Sequence, residues 1–213
     1  MNENNIAVRL FFSKTGRAKY ISALDLITCF QRAIRRTDIP IWHTQGFNPH
    51  TYVNVNLPLS LGSEGINESM DIKLTEQTDF DVVRDKLNAV LPPDIRIIRA
   101  ALPVKKHTEI EKSVYSVHIV CDYEKLEEFM KLPAIEVEKK TTKKGITTLD
   151  IKPFTEIKDY ERGHFTLIMP SGCDFTLNPS LFFDAFEKYS GEETERLDIV
   201  RTGILCKDGT QFE

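Results

Sequence analysis

The sequence predicts an α+β protein: two ferredoxin-like βαββαβ units in tandem, each an antiparallel sheet with its helices on one face. Three observations carry this. Segments of period-2 apolar alternation and segments of helical period follow one another in the order βαββαβ through the first half. The second half repeats that order loosely. A polar stretch, LPVKKHTEIEK (Leu102 to Lys112), separates the two, so residues 1–103 form one expected unit and residues 104–213 the other. With 213 residues, 41% of them hydrophobic, the chain can bury its cores without disulfide or metal staples.

The elements follow in order. IAVRLFFS puts Val8, Leu10 and Phe12 on one face and Arg9 and Phe11 on the other, which reads as a strand. In SALDLITCFQRAIRRTD, Ser22 is the expected N-cap with Asp25 three residues on, and Leu24, Ile27, Phe30 and Ile34 form an apolar stripe. Arg32 and Arg36 lie one turn apart on the opposite side, with Arg35 nearby. A loop, WHTQGFNPH, leads to the alternating strand TYVNVNLP. LPLSLGSEG reads as a connection and ESMDIKL as a strand. TDFDVVRDKLNAVL is an amphipathic helix that stops before Pro92-Pro93, and IRIIRAAL is the next strand. The second half offers the strand SVYSVHIVC, the helix DYEKLEEFMKL and a hairpin around AIEVEKK. The strand GHFTLIMPS, the helix NPSLFFDAFEKYS and the strand ERLDIVRTGIL complete it.

Charge is uneven. The net charge is −4, yet residues 1–50 carry seven basic side chains against three acidic ones, while residues 104–213 carry 16 against 21. Any phosphate contact is therefore expected in the N-terminal half. No apolar run approaches the length of a membrane span and MNENNIAVRL is no signal peptide, so a cytoplasmic protein is expected. Cys29, Cys121, Cys173 and Cys206 are far apart and form no C-x-x-C. No metal or other cofactor is expected from them.

Three features of the first unit point to binding. SKTGRAKY leaves the first strand for the first helix. Its Gly16 frees backbone N–H groups to face an anion, Lys14, Arg17 and Lys19 add charge, and Tyr20 closes the segment. The helix face of Arg32 and Arg36 adds more. In WHTQGFNPH, Trp42 and Phe47 can stack on bases, and Gln45, Asn48, His43 and His50 can read polar edges. Gly46 and Pro49 fix the loop's shape. The face away from the helices, with Arg9, Phe11, Tyr52, Asn54, Asn56, Ser69, Asp71 and Lys73, is either an open stacking platform or is covered by the second half. His43, His50 and Tyr20 could form an acid–base set, but nothing in the spacing fixes their geometry, and the reading leans to a non-catalytic module. Lys139-Lys140 and Lys143-Lys144 read as a solvated hairpin tip.

Several of these stretches, RLFFSKTGRAKYISALDLITCFQRAIRRTDIP, TQGFNPH, LPLSLGSEG and MDIKL, resemble the bacterial radical SAM-linked protein family, a domain found beside or fused to a radical SAM protein. Ser13, Lys14, Gly16, Lys19, Tyr20, Ser22, Leu24 and Asp25 match its first motif, Gln45 to His50 its second, and Pro58, Leu59, Leu61 and Gly62 its third. Ala23, Thr44 and Thr51 depart from it. The resemblance implies a radical SAM enzyme as partner. The chain has no three-cysteine cluster motif, so adenosyl radical chemistry would belong to that partner. By analogy, RNA is the expected substrate class. The alternatives are a metal-independent endoribonuclease using His43 or His50 with Tyr20 or Lys19, and a protein–protein adaptor.

Overall fold

β1 (Ile6–Lys14) turns Val8, Leu10 and Phe12 into a core, as its alternation dictates. The computed structural model in which this strand sits describes residues 5–141 and 145–213 and is α+β, with largely antiparallel pairing. It divides into two compact units. The first runs up to Glu109 and also takes Gln211–Glu213; the second is Ile110–Thr210.

In the first unit β1 leads through a short 3-10 helix, Gly16–Tyr20, to α1 (Ala23–Arg35). Ser22 Oγ accepts from the Asp25 backbone N–H at 3.1 Å, satisfying a donor that the helix start would otherwise leave bare. The buried side of α1 is Leu26, Phe30, Ala33 and Ile34, with Phe30 edge-on to Phe12 at 5.2 Å. Leu24, expected in the apolar stripe, is instead 76% exposed. It lies about 160° round the helix from Leu26, so the two cannot share a face. β2 (Val53–Val55) is shorter than its alternation predicts, because Tyr52 N–H turns to the Trp42 carbonyl. β3 (Glu64–Leu74) is longer and begins inside the expected connection. α2 (Phe80–Asn88), capped by Asp79, and β4 (Ile95–Ala101) complete the unit. Its strands order β4-β1-β3-β2.

The open stacking platform is not what forms on the face away from the helices. Arg9, Phe11, Asn56 and Ser69 are all buried. Arg9 makes a bidentate pair with Asp71 at 2.7 and 2.9 Å and donates to the Lys105 and Glu213 carbonyls. Phe212 lies under its guanidinium, 4.3 Å away, and Arg99 covers Phe11 at 3.6 Å. Residues from the chain's far end thus close this part of the first unit.

The second unit runs β5 (Ile110–Val120), α3 (Tyr123–Lys131), a hairpin of β6 (Glu136–Thr141) with β7 (Gly145–Asp150), then β8 (Glu156–Glu161), β9 (His164–Pro170), α4 (Ser180–Ser190) and β10 (Glu195–Cys206). Its main sheet orders β10-β5-β9-β8, all antiparallel. The core gathers Phe129, Phe182, Phe183 and Phe186 from the helices against Leu167 and Met169 of β9. β8 was not foreseen: EIKDYE is mostly charged, as edge strands often are, and positive φ at Asp159 and Arg162 marks its irregular end. Lys143 and Lys144 lie outside the described residues, as do the side chains of Lys139 and Lys140.

Candidate functional site

Two of the expected binding segments sit at opposite ends of the first unit. Along β3, Lys14 of β1 pairs at Gly65, while Trp42 N–H bonds to the Lys73 carbonyl at 2.8 Å. Eight residues of strand, about 26 Å, separate those levels. SKTGRAKY and WHTQGFNPH are therefore not two walls of one cleft. His43 and His50 are likewise remote from Tyr20 and Lys19, so the acid–base set of the endoribonuclease alternative is not assembled.

At the SKTGRAKY end, the anion-facing donors are already taken by the chain itself. Gly16 N–H donates to Glu64 Oε1 at 3.1 Å and Arg17 N–H to Asp94 Oδ2 at 3.0 Å. Gly16 has φ +54, and a Cβ there would lie 3.0 Å from the Asp94 carboxyl carbon, so the residue serves both the turn and the close approach. Lys19 Nζ lies 3.7 Å from Glu64 Oε1. Lys14, expected to touch phosphate, is only 1% exposed, and its ammonium donates to the Ile21 carbonyl at 3.0 Å. It braces the loop from inside. Arg17 and Tyr20 remain exposed, and Gly62 N–H ties the following loop to the Lys19 carbonyl at 2.9 Å.

The other end is more open. His43 pairs with Thr51, and Thr44 N–H donates to the His50 carbonyl at 2.8 Å, making WHTQGFNPH a protruding hairpin. His50 N–H donates to Thr44 Oγ1 at 3.1 Å. His50 Nδ1 lies 3.0 Å from Thr44 Oγ1 and 3.2 Å from the Asn48 carbonyl oxygen. These bonds order the arms and leave Gln45, Gly46, Phe47, Asn48 and Pro49 at an exposed tip. Phe47, at 105% relative exposure, touches nothing that shields it. At the hairpin's base Lys73 Nζ stands 5.0 Å from the Trp42 ring and 4.9 Å from the Tyr52 ring, and those rings meet at 5.9 Å. Burial and the nearby Asp71 push the Tyr52 hydroxyl above its ordinary pKa, so it stays neutral.

α1 joins this end through Gln31, whose Nε2 donates to the Thr51 carbonyl at 3.1 Å. Arg35 lies one turn further along the same helix face. Arg32 and Arg36 flank Cys29, whose thiol is pushed up by burial and pulled back by the two guanidiniums. Arg36 Nη2 donates to the Val90 carbonyl at 2.7 Å. Among the described residues neither Arg32 nor Arg35 forms an ion pair, and all three arginines are exposed. Sequence reasoning singles out the WHTQGFNPH segment as a loop, together with the arginines, but misses the closing carboxylates. Asp94 follows Pro92-Pro93 and Glu64 sits in a glycine-flanked stretch, and only the register brings either to Gly16. Among the described residues no group of three or more His, Cys, Asp or Glu side chains could hold a metal ion. No helix of the described residues is long and apolar enough to cross a membrane.

No curated protein matches the chain. A family model described as an uncharacterized protein conserved in bacteria (DUF2344) matches residues 7–178, from β1 through the WHTQGFNPH hairpin to the loop after β9, and the chain belongs to that family.

Proposed function

We propose that this chain is a non-catalytic binding module that holds RNA, or another phosphate-bearing ligand, for a radical SAM partner in the cytoplasm. Both units are read as ferredoxin-like, the second with the β6–β7 hairpin inserted after its first helix; the strand orders β4-β1-β3-β2 and β10-β5-β9-β8 support that reading. The observation that carries the function is the hairpin end of the first unit. A tip bearing a fully exposed Phe47 stands on ordered arms, beside a helix end with Arg32, Arg35 and Arg36 turned to solvent. An exposed aromatic gives a base a stacking surface, and arginines give its phosphates planar charged donors. Gln45, Asn48 and His50 supply polar groups beside the ring. The resemblance to radical SAM-linked proteins supplies the partner.

The test is the anisotropy of a labelled single-stranded oligoribonucleotide at low and moderate salt, with wild type and Phe47→Ala. The expected result is salt-sensitive binding, weakened about tenfold or more by Phe47→Ala, since stacking on an aromatic contributes on the order of 1–3 kcal/mol per base. No RNA binding at low salt would overturn the RNA reading. Salt-insensitive capture of the radical SAM partner, lost in Phe47→Ala, would then identify the hairpin as a protein dock.

A further inference from the structure

The second unit contains a cavity of about 560 Å³, within the range of small-molecule sites. Its floor is Ile168. Leu167 and Met169 on either side point into the helix-covered core, so Ile168 faces the opposite side of the sheet. Phe154 and Phe175, from the loops flanking β8 and β9, stand over that floor with ring centroids 5.0 Å apart at 62°. Phe154 is 44% exposed, a large ring left facing an apolar hollow.

The rim has a particular charge pattern. Lys207 lies 4.0 Å from Asp174, and Glu156 is engaged by Lys158 at 3.0 Å. Lys112, paired in register with Pro170 above the floor, forms no ion pair among the described residues. One cation is thus available to a ligand. Glu111, Glu156 and Asp174 at the mouth disfavour anything carrying several negative charges.

We infer that this cavity is a binding site for a small amphiphile, an aryl or acyl body carrying a single acid group. The body lies against Ile168 and the two phenylalanine rings, and the acid meets Lys112. An apolar body supplies the favourable burial, and the ammonium fixes its orientation through a charge-assisted bond. The carboxylates at the mouth exclude nucleotides and polyphosphates, which sets this site apart from the arginine-bearing end of the first unit.

The experiment is a fluorescence titration of the full chain with anilinonaphthalene sulfonate, an aryl body with one acid group. Wild type, Lys112→Glu and Phe154→Ala are compared, with urea melts to confirm folding. One saturable site is expected, weakened about tenfold by each variant, the loss typical of a charge-assisted bond or a large apolar contact. Decanoate should displace the probe and inorganic phosphate should not. Absence of saturable binding, or equal binding by wild type and Lys112→Glu, would overturn the proposal. So would displacement by phosphate. Lys112 is exposed, so Lys112→Glu decides the matter even if Phe154→Ala loses stability.

Discussion

Gly65 shows how one residue sets the terms for its neighbours. It lies opposite Lys14 in the β1–β3 register, and a Cβ at this position would sit 2.2 Å from Glu68 Oε1. The absent side chain leaves room for the carboxylate of Glu68, a residue only 2% exposed. Gly65→Ala must displace that carboxylate, and it is expected to cost about 3 kcal/mol, the scale of disturbing a buried charged group. Urea denaturation measures this, and a loss under about 1 kcal/mol would mean that Glu68 can relocate cheaply. The sequence hides this entirely. Lys14 reads there as a surface charge in a basic loop, because composition shows charge and not burial, and Gly65 reads as one more loop glycine in LGSEG.

Among elements, those with local signals were the most legible. Ser22, Asp79 and Asp122 each cap the helix that follows, through side chains that accept from backbone N–H groups two or three residues on. β8 was illegible because its charged edge residues carry no clean alternation. Edges are managed in the first unit too: the Asn88 side chain donates to the Ile97 carbonyl at 2.9 Å and accepts from its N–H at 2.8 Å, standing in for a neighbouring strand on β4. The WHTQGFNPH hairpin was legible in its chemistry but not in its shape. Its order rests on Thr44, whose hydroxyl accepts from His50 N–H and lies within bonding distance of His50 Nδ1. Thr44→Val keeps the volume and removes those bonds. Amide exchange at His50 should accelerate at least about fivefold, corresponding to the loss of about 1 kcal/mol of local bonding, while the core amides of β1 and β3 stay unchanged. Unaltered exchange at His50 would show that the backbone bond between Thr44 and His50 suffices.

At the scale of the whole molecule, local patterns supply the α+β order but not the way the chain returns. The compact units divide after Glu109, within the stretch Leu102 to Lys112 expected to join them, but Gln211–Glu213 belongs with the first. Arg9 meets the Glu213 carbonyl across a separation of 204 residues, and no periodicity within a window can announce such a contact. Val104 and Lys105 also donate to that carbonyl, at 3.1 and 2.6 Å. Deleting Gln211–Glu213 exposes the surface covered by Phe212 and leaves the Arg9 guanidinium short of partners. The first unit should lose about 3 kcal/mol, read as faster amide exchange in β1, β3 and β4. Protection there equal to that of the intact chain would contradict the closing role given to these residues.

On the proposed reading, ligand recognition belongs to the hairpin end of the first unit and not to the basic loop, whose donors its own carboxylates occupy. The most direct measurement is the affinity of two charge-removal variants for a labelled single-stranded RNA across a salt series. One is Arg32→Ala/Arg35→Ala/Arg36→Ala, and the other is Arg17→Ala/Lys19→Ala. The first variant is expected to lose at least about tenfold and to flatten its salt dependence by about 2 in slope, as three lost phosphate contacts on a single strand require, while the second stays within about twofold of wild type. Equal losses, or a larger loss from the Arg17 and Lys19 pair, would contradict it and return recognition to the loop.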